Sequence, residues 1–148
     1  MAEIHPKVVH FPIALLTTYA LLEIAGIILK KEFISKSALL ILCIGVITAF
    51  FAVLTGNQAS SEFNFWNDES KAILEQHQTF ATYLVWFSAL ISVLRIVVML
   101  KKKFGGFIKY LFILFALVLI YIVYETGTHG GTLVKKFGVG TEVIKSIE

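Results

Sequence analysis

The sequence predicts an all-α integral membrane protein, an up-down-up-down four-helix bundle that crosses a lipid bilayer. Hydrophobic residues make up 57% of the 148 residues and charged residues 16%, whereas soluble globular domains average about 45–50% and about 25%. The mean hydropathy is +0.83, and four apolar stretches each approach the roughly 20 residues that a membrane-crossing helix needs. A soluble chain of this length could not bury so much apolar surface, and the length predicts one domain, residues 1–148.

The apolar stretches and their connections define the predicted helices. These helices cover about 8–29, 37–54, 80–100 and 107–124. Pro12 lies near the first turn of the first helix, where its missing N–H is not needed. The connections at 30–36 and 101–106 are short and rich in lysine, and the one at 56–78 is longer and polar. Short connections make consecutive helices antiparallel neighbours, so we expect the first and third helices to lie diagonally across the bundle.

The distribution of basic residues predicts the orientation. Eight of the 13 Lys and Arg residues lie on the side of the two short connections, and five lie on the other side. The positive-inside rule then places both termini on the outer, periplasmic side of a bacterial inner membrane. We expect the first helix to direct its own insertion, because the start of the chain shows no removable signal peptide. The small net charge of +3 is scattered near helix ends and excludes a nucleic-acid partner.

Four histidines fall at the same predicted membrane face. His5 and His10 precede the first helix, His77 precedes the third and His129 follows the fourth. Two neutral imidazoles from facing helices can ligate a haem iron. We therefore expect His10 and His77 to face each other as axial ligands of haem b. His129 is the next candidate ligand, and we expect His5 to support the site or to contact a propionate.

Two other interpretations of the histidines stay open. In the first, His10, His77 and His129 bind zinc, copper or iron without a porphyrin. Glu75 or Glu125 could then supply a carboxylate, and Glu125 lies one helical turn from His129, where the two could share a face. In the second, the histidines are interfacial side chains without a ligand, and the protein is a structural or assembly subunit.

Two charged residues lie inside the predicted membrane helices. Glu23 and Arg95 are each about 9 Å from the end of their helix on the lysine-rich side. An isolated charge at such a depth costs about 2.5–3.5 kcal/mol, so we expect the two to form an ion pair. The pair would either set the helix register or take part in a proton or charge relay.

The tail from Thr126 is rich in glycine, and we expect His129-Gly130-Gly131 to turn the chain tightly back over the outer mouth of the bundle. No nucleophile elbow, phosphate loop or zinc-protease motif is present in the sequence, so we expect binding or electron transfer rather than enzymatic catalysis.

Several stretches of the chain resemble a bacterial membrane-protein family, domain of unknown function 2231. The similar stretches are HPKVVHFPIALL at 5–16, Thr55-Gly56, Gln76-His77 and GTHGGTLV at 127–134. Many family members carry a tyrosine or a second histidine after the glycine pair, where this chain has Lys135, Lys136 and Phe137. The resemblance implies a four-helix membrane fold. Because similar domains occur in chains with c-type cytochrome modules, it also implies redox work at the outer membrane face.

The leading hypothesis from the sequence is a haem b-binding membrane protein, or cytochrome-like subunit, that passes electrons at the outer face of the membrane. Its partners would be the lipid bilayer and a c-type cytochrome or other redox protein. Assembly as a homo-oligomer is left open.

Overall fold

The computed structural model describes residues 4–139, which form long helices joined by short turns. The helices are α1 (His5–Val8), α2 (His10–Ile28), α3 (Glu32–Glu62), α4 (Asp68–Leu100) and α5 (Phe107–Phe137). Val9 keeps helical backbone angles, so α1 leads directly into α2 and the two act as one membrane span. Within 4–139, four spans are long and apolar enough to cross a membrane, which confirms the predicted fold class. The predicted domain 1–148 also includes 1–3 and 140–148, which lie outside the described residues.

Each long helix packs against two others, so the bundle is a closed ring. Helix α2 contacts α3 and α5, and α4 contacts the same two helices. The pairs α2/α4 and α3/α5 are therefore the diagonals, as the short connections predicted. On α3, a Cβ added at Gly45 would lie 2.7 Å from the Leu16 side chain of α2, so this glycine permits the close approach of the two helices.

The apolar residues divide between an interior core and a lipid-facing surface. Tyr19, Leu16 and Phe112 are among the side chains that are fully buried between the helices. Trp86 and Phe107 are 72% and 80% exposed, and many other large apolar side chains lie on the same outer surface. Such a surface is stable only in contact with lipid, because water would not solvate it.

The helices extend beyond the predicted apolar stretches. Helix α3 continues to Glu62, and α4 begins at Asp68, so the connection expected at 56–78 shrinks to 63–67. At the start of α4, the Asn67 side chain accepts from Ser70 N–H, and the Ser70 hydroxyl accepts from Asn67 N–H. Hydropathy detects the part of a helix that lies in lipid, whereas capping and backbone hydrogen bonds continue the helix into the polar region.

The expected tight turn at His129-Gly130-Gly131 is wrong. These residues lie inside α5, which continues to Phe137. The helix ends at Gly138, whose φ of 66° lets Val139 N–H reach the Leu133 carbonyl. Glycine disfavours a helix interior by only about 1 kcal/mol, and contacts with a neighbouring helix can offset that cost.

Candidate functional site

The two ends of the bundle carry different polar groups. We call the end where α1 and α4 begin the histidine end, because it holds His5, His77 and His129. We call the opposite end, where α2 and α4 finish, the lysine end. Its two turns contain Lys30 and Lys102.

His5 on α1 is held against the last turns of α3. Its Nδ1 lies 3.0 Å from the hydroxyl oxygen of Thr55. The Thr55 hydroxyl also lies 3.0 and 3.1 Å from the carbonyl oxygens of Ala52 and Phe51, and its single hydrogen can go to one of them. When it does, the Thr55 oxygen accepts a hydrogen bond from Nδ1–H of His5. Gly56 lies directly against the ring, since a Cβ there would be 2.9 Å from the Cε1 atom of His5.

His77 joins α4 to α5 in a similar way. Its Nδ1 lies 3.0 Å from the carbonyl oxygen of Thr126. A carbonyl only accepts, so Nδ1 carries the hydrogen in this bond. Gly130 faces the ring, because a Cβ added there would lie 3.0 Å from the Cε1 atom of His77. The glycine that was expected to form a turn thus makes room for an imidazole.

His129 on α5 is fixed by its own helix and by α4. Its Nδ1 lies 2.6 Å from the carbonyl oxygen of Glu125, and its ring stacks on Phe80 with an interplanar angle of 13°. The Glu125 carboxylate lies 3.9 Å from the same Nδ1. The shared face expected for Glu125 and His129 is therefore present.

The three imidazoles share one hydrogen-bonding pattern, in which each Nδ1 is bonded to an oxygen. In His77 and His129 the partner is a carbonyl, so Nδ1 carries the hydrogen and Nε2 carries the lone pair that could bind a metal. This arrangement is typical of histidines that ligate metals, because the outer hydrogen bond fixes the tautomer and the ring orientation. His77 lies within electrostatic range of both His5 and His129.

His10 lies apart from this group. Its side chain is exposed. The histidine of the first span that packs against another helix is therefore His5. Five residues of helix correspond to a rotation of about 140°, which places His5 and His10 on different faces. That rotation is the sequence signal that could have separated the two. Glu75 is also exposed, and within residues 4–139 no three His, Cys, Asp or Glu side chains are arranged to hold a metal ion.

A groove at the histidine end lies between α2 and α5, and we call it the α2–α5 groove. Its volume is about 580 Å³, and its lining includes Ile13, Gly127, Gly131, Lys135 and Lys136. Apart from its chain neighbours and the backbone of α5 itself, no atom of the described chain lies within 4 Å of a Cβ added at either of these glycines. Ile13 follows His10 by one helical turn, on the same side of α2.

A second polar group lies between the helices toward the lysine end. Arg95 Nε donates to a Glu23 carboxylate oxygen at 2.8 Å, and Arg95 Nη2 donates to the Ser35 hydroxyl at 2.7 Å. Ser35 donates in turn to the second Glu23 oxygen at 3.4 Å, and the Phe104 ring lies 3.5 Å from the guanidinium carbon. Glu23 and Arg95 are 0% and 3% exposed. The structure thus contains the expected ion pair, and it adds Ser35 and Phe104, which the sequence did not reveal.

The fold and the two polar groups define a membrane protein of four apolar spans with an imidazole-rich end. The chain belongs to the family of predicted membrane proteins described as domain of unknown function 2231, whose model matches residues 2–143. Neither the curated proteins nor the solved structures give a significant match to the chain.

Proposed function

We propose that the protein binds haem b at its histidine end and passes electrons there. The observation that carries the proposal is the shared hydrogen bonding of His5, His77 and His129, since each Nδ1 is bonded to an oxygen and Nε2 is the nitrogen that would ligate iron. Neutral imidazoles that project from bundle helices are common axial ligands of haem iron. The hydrogen bond at Nδ1 raises the basicity of Nε2 and holds the ring in place.

A groove of suitable size lies at the same end of the bundle, and its lining contains none of the four histidines. The α2–α5 groove has a volume of about 580 Å³, within the range of about 300–1,000 Å³ that small-molecule sites occupy. Lys135 lines the groove and suits an anionic propionate, whereas Lys136, also in the lining, forms an ion pair with Glu69. His10 lies one turn before Ile13 of the groove, so it remains a candidate ligand on that side.

The chain's own residues would hold and orient such a group, and the haem would supply one-electron redox chemistry. Thr55 and the Thr126 carbonyl keep the Nε2 atoms of His5 and His77 available. The Phe80 ring, stacked on His129, limits the access of water to that imidazole.

The orientation and the partner form part of the proposal. The excess of Lys and Arg at the lysine end supports its placement in the cytoplasm. The histidine end would then face the periplasm of a bacterial inner membrane. A c-type cytochrome or another redox protein on that side is the expected electron partner.

A bare metal ion is the second candidate. It is favoured by the Glu125 carboxylate, 3.9 Å from Nδ1 of His129, which could orient that imidazole as a ligand. Imidazole and carboxylate donors suit zinc, copper or iron.

An absorption spectrum of the purified protein, expressed with ample haem, tests the proposal. We expect a Soret band that is lost or shifted in His77→Ala and His5→Ala. Thr79→Ala, an exposed position two residues from His77 on α4, is the matched control and should keep the wild-type spectrum.

Elemental analysis of the same samples separates the alternatives. Stoichiometric zinc, copper or iron without a Soret band would favour the bare-ion site. A protein with neither metal nor haem, whose partner binding survives both histidine substitutions, would instead be a structural or assembly subunit.

A further inference from the structure

A large cavity lies at the lysine end, where α2 and α4 finish and α3 and α5 begin. Its volume is about 660 Å³. The cationic side chains that line it are Lys30, Lys31, Lys36, Arg95, Lys102 and Lys109. Glu32 lies 2.9 Å from Lys36, and Glu23 binds Arg95. Among residues 4–139, the other four lysines of the lining have no carboxylate within salt-bridge distance, so the cavity carries a net positive charge.

Two of these lysines hold a backbone conformation that favours glycine. Lys30 and Lys102 have φ values of 54° and 52°, in the left-handed region. Each lysine directly follows the C-terminal cap residue of its helix. The turn after α2 closes with a hydrogen bond of 3.0 Å from Lys31 N–H to the Gly26 carbonyl. The turn after α4 closes with one of 3.0 Å from Lys103 N–H to the Val98 carbonyl.

The equivalent turn after α5 shows the residue that this geometry normally selects. There, Gly138 occupies the left-handed position with a φ of 66°. A side chain in this conformation is strained, and strain that a protein retains is often associated with a functional site. At both strained positions the chain places a lysine that lines the cavity.

Helix α3 presents its amino terminus to the same cavity, and α5 contributes Lys109 from its first turn. Helix α3 follows Lys31 and α5 follows Gly106, and in the described structure neither residue caps its helix with a side chain. At the histidine end, by contrast, α4 is capped by Asn67 and Ser70. Free N–H groups and the positive dipole end of a helix both favour anions.

We propose that this cavity binds a phosphate-bearing anion. Lys30 and Lys102 would approach it from the ends of α2 and α4, and the first turn of α3 would supply N–H groups. Arg95 lines the cavity deep between the helices, held there by Glu23 and Ser35. The phosphate can come from an anionic lipid headgroup or from a soluble phosphate compound. This proposal concerns the end opposite to the proposed haem site, so the phosphate site and the haem site can be disproved independently of each other.

Calorimetric titration of the purified protein in a neutral detergent tests the proposal. The ligands are short-chain phosphatidylglycerol and inorganic pyrophosphate, with zwitterionic phosphatidylcholine as the comparison. We expect saturable binding of an anionic ligand at a stoichiometry of about one. Binding of phosphatidylglycerol alone identifies a lipid headgroup site. Binding of pyrophosphate, in competition with the lipid, identifies a site for soluble phosphate.

Matched variants separate the cavity from the general positive charge of this end. Lys102→Gln removes a lining charge, and Lys103→Gln removes the adjacent charge outside the lining. We expect about a tenfold loss of affinity for the first, as for one charge-assisted hydrogen bond, and less than a twofold loss for the second. Lys30→Gly also relieves backbone strain, so it should weaken binding without unfolding the protein. No binding of either anion, or equal losses in Lys102→Gln and Lys103→Gln, would overturn the proposal.

Discussion

Replacement of Arg95 by Met should destabilise the bundle far more than replacement of Arg95 and Glu23 together. In the single variant, Glu23 stays 0% exposed and keeps only the 3.4 Å hydrogen bond from Ser35. Removal of one partner of a buried ion pair costs about 3–5 kcal/mol, because the other charge is left uncompensated. If Glu23 is also changed to Met, no lone charge remains, and we expect a cost of about 0–2 kcal/mol.

Cys43 provides the assay, because it is the only cysteine of the chain. It is partly buried on α3, with its sulfur 3.4 Å from the Ser92 hydroxyl on α4. A fluorogenic maleimide therefore reports the separation of these helices during heating in detergent. For a chain of this size, Tm falls by about 2–4 °C per kcal/mol, so Arg95→Met should lower it by roughly 6–20 °C.

The comparison of the single and double variants decides whether the ion pair is energetically coupled. Arg95→Lys is the conservative control. It keeps the charge but loses the planar contacts with Glu23, Ser35 and Phe104, so its Tm should be intermediate. If the losses measured for Arg95→Met alone and for Glu23→Met alone simply add up in the double variant, the coupling that we infer from the geometry is absent.

Four further substitutions, of which Gly127→Ala is a control for Gly130→Ala, test separate parts of the structure by thermal unfolding. Gly130→Ala puts a Cβ 3.0 Å from His77 and should cost about 1–3 kcal/mol. Gly127→Ala places its Cβ more than 4 Å from every described atom outside its own stretch of α5, so it should gain up to about 1 kcal/mol, and equal effects would contradict the role of Gly130. Lys30→Gly should stabilise by about 1 kcal/mol through relief of its left-handed strain, and a lower Tm would refute that strain. Tyr19→Phe should be neutral or stabilising, because the buried Tyr19 hydroxyl has no hydrogen-bond partner in residues 4–139; a loss above about 2 kcal/mol would reveal one.

Two glycines have a structural role at the histidine end that the sequence did not predict. Gly56 and Gly130 lie on different helices, and each faces an imidazole ring from a neighbouring helix. Any larger residue would push the ring away from the oxygen that holds its Nδ1, and so would change the direction of Nε2. We therefore regard these two glycines as positioning residues for His5 and His77.

The sequence by itself determined the positions of residues along the membrane normal. Each helical residue advances about 1.5 Å, so the apolar stretches set the four spans and placed Glu23 and Arg95 at a similar depth. The same reasoning brought the histidines of three separate segments to one end of the bundle. Short connections were enough to identify which helices are neighbours and which are diagonal.

Only the tertiary structure decided which side of each helix faces inward. The low polarity contrast around a lipid-embedded helix leaves its rotation to side-chain packing against distant segments. For this reason, His5 rather than His10 packs inside, 50 residues from its partner Thr55. Ser35 joins Arg95 across 60 residues for the same reason. The tertiary structure also decided how far the helices extend into the polar region. Hydropathy does not measure capping and packing, and these contacts continue α4 and α5 beyond their apolar stretches.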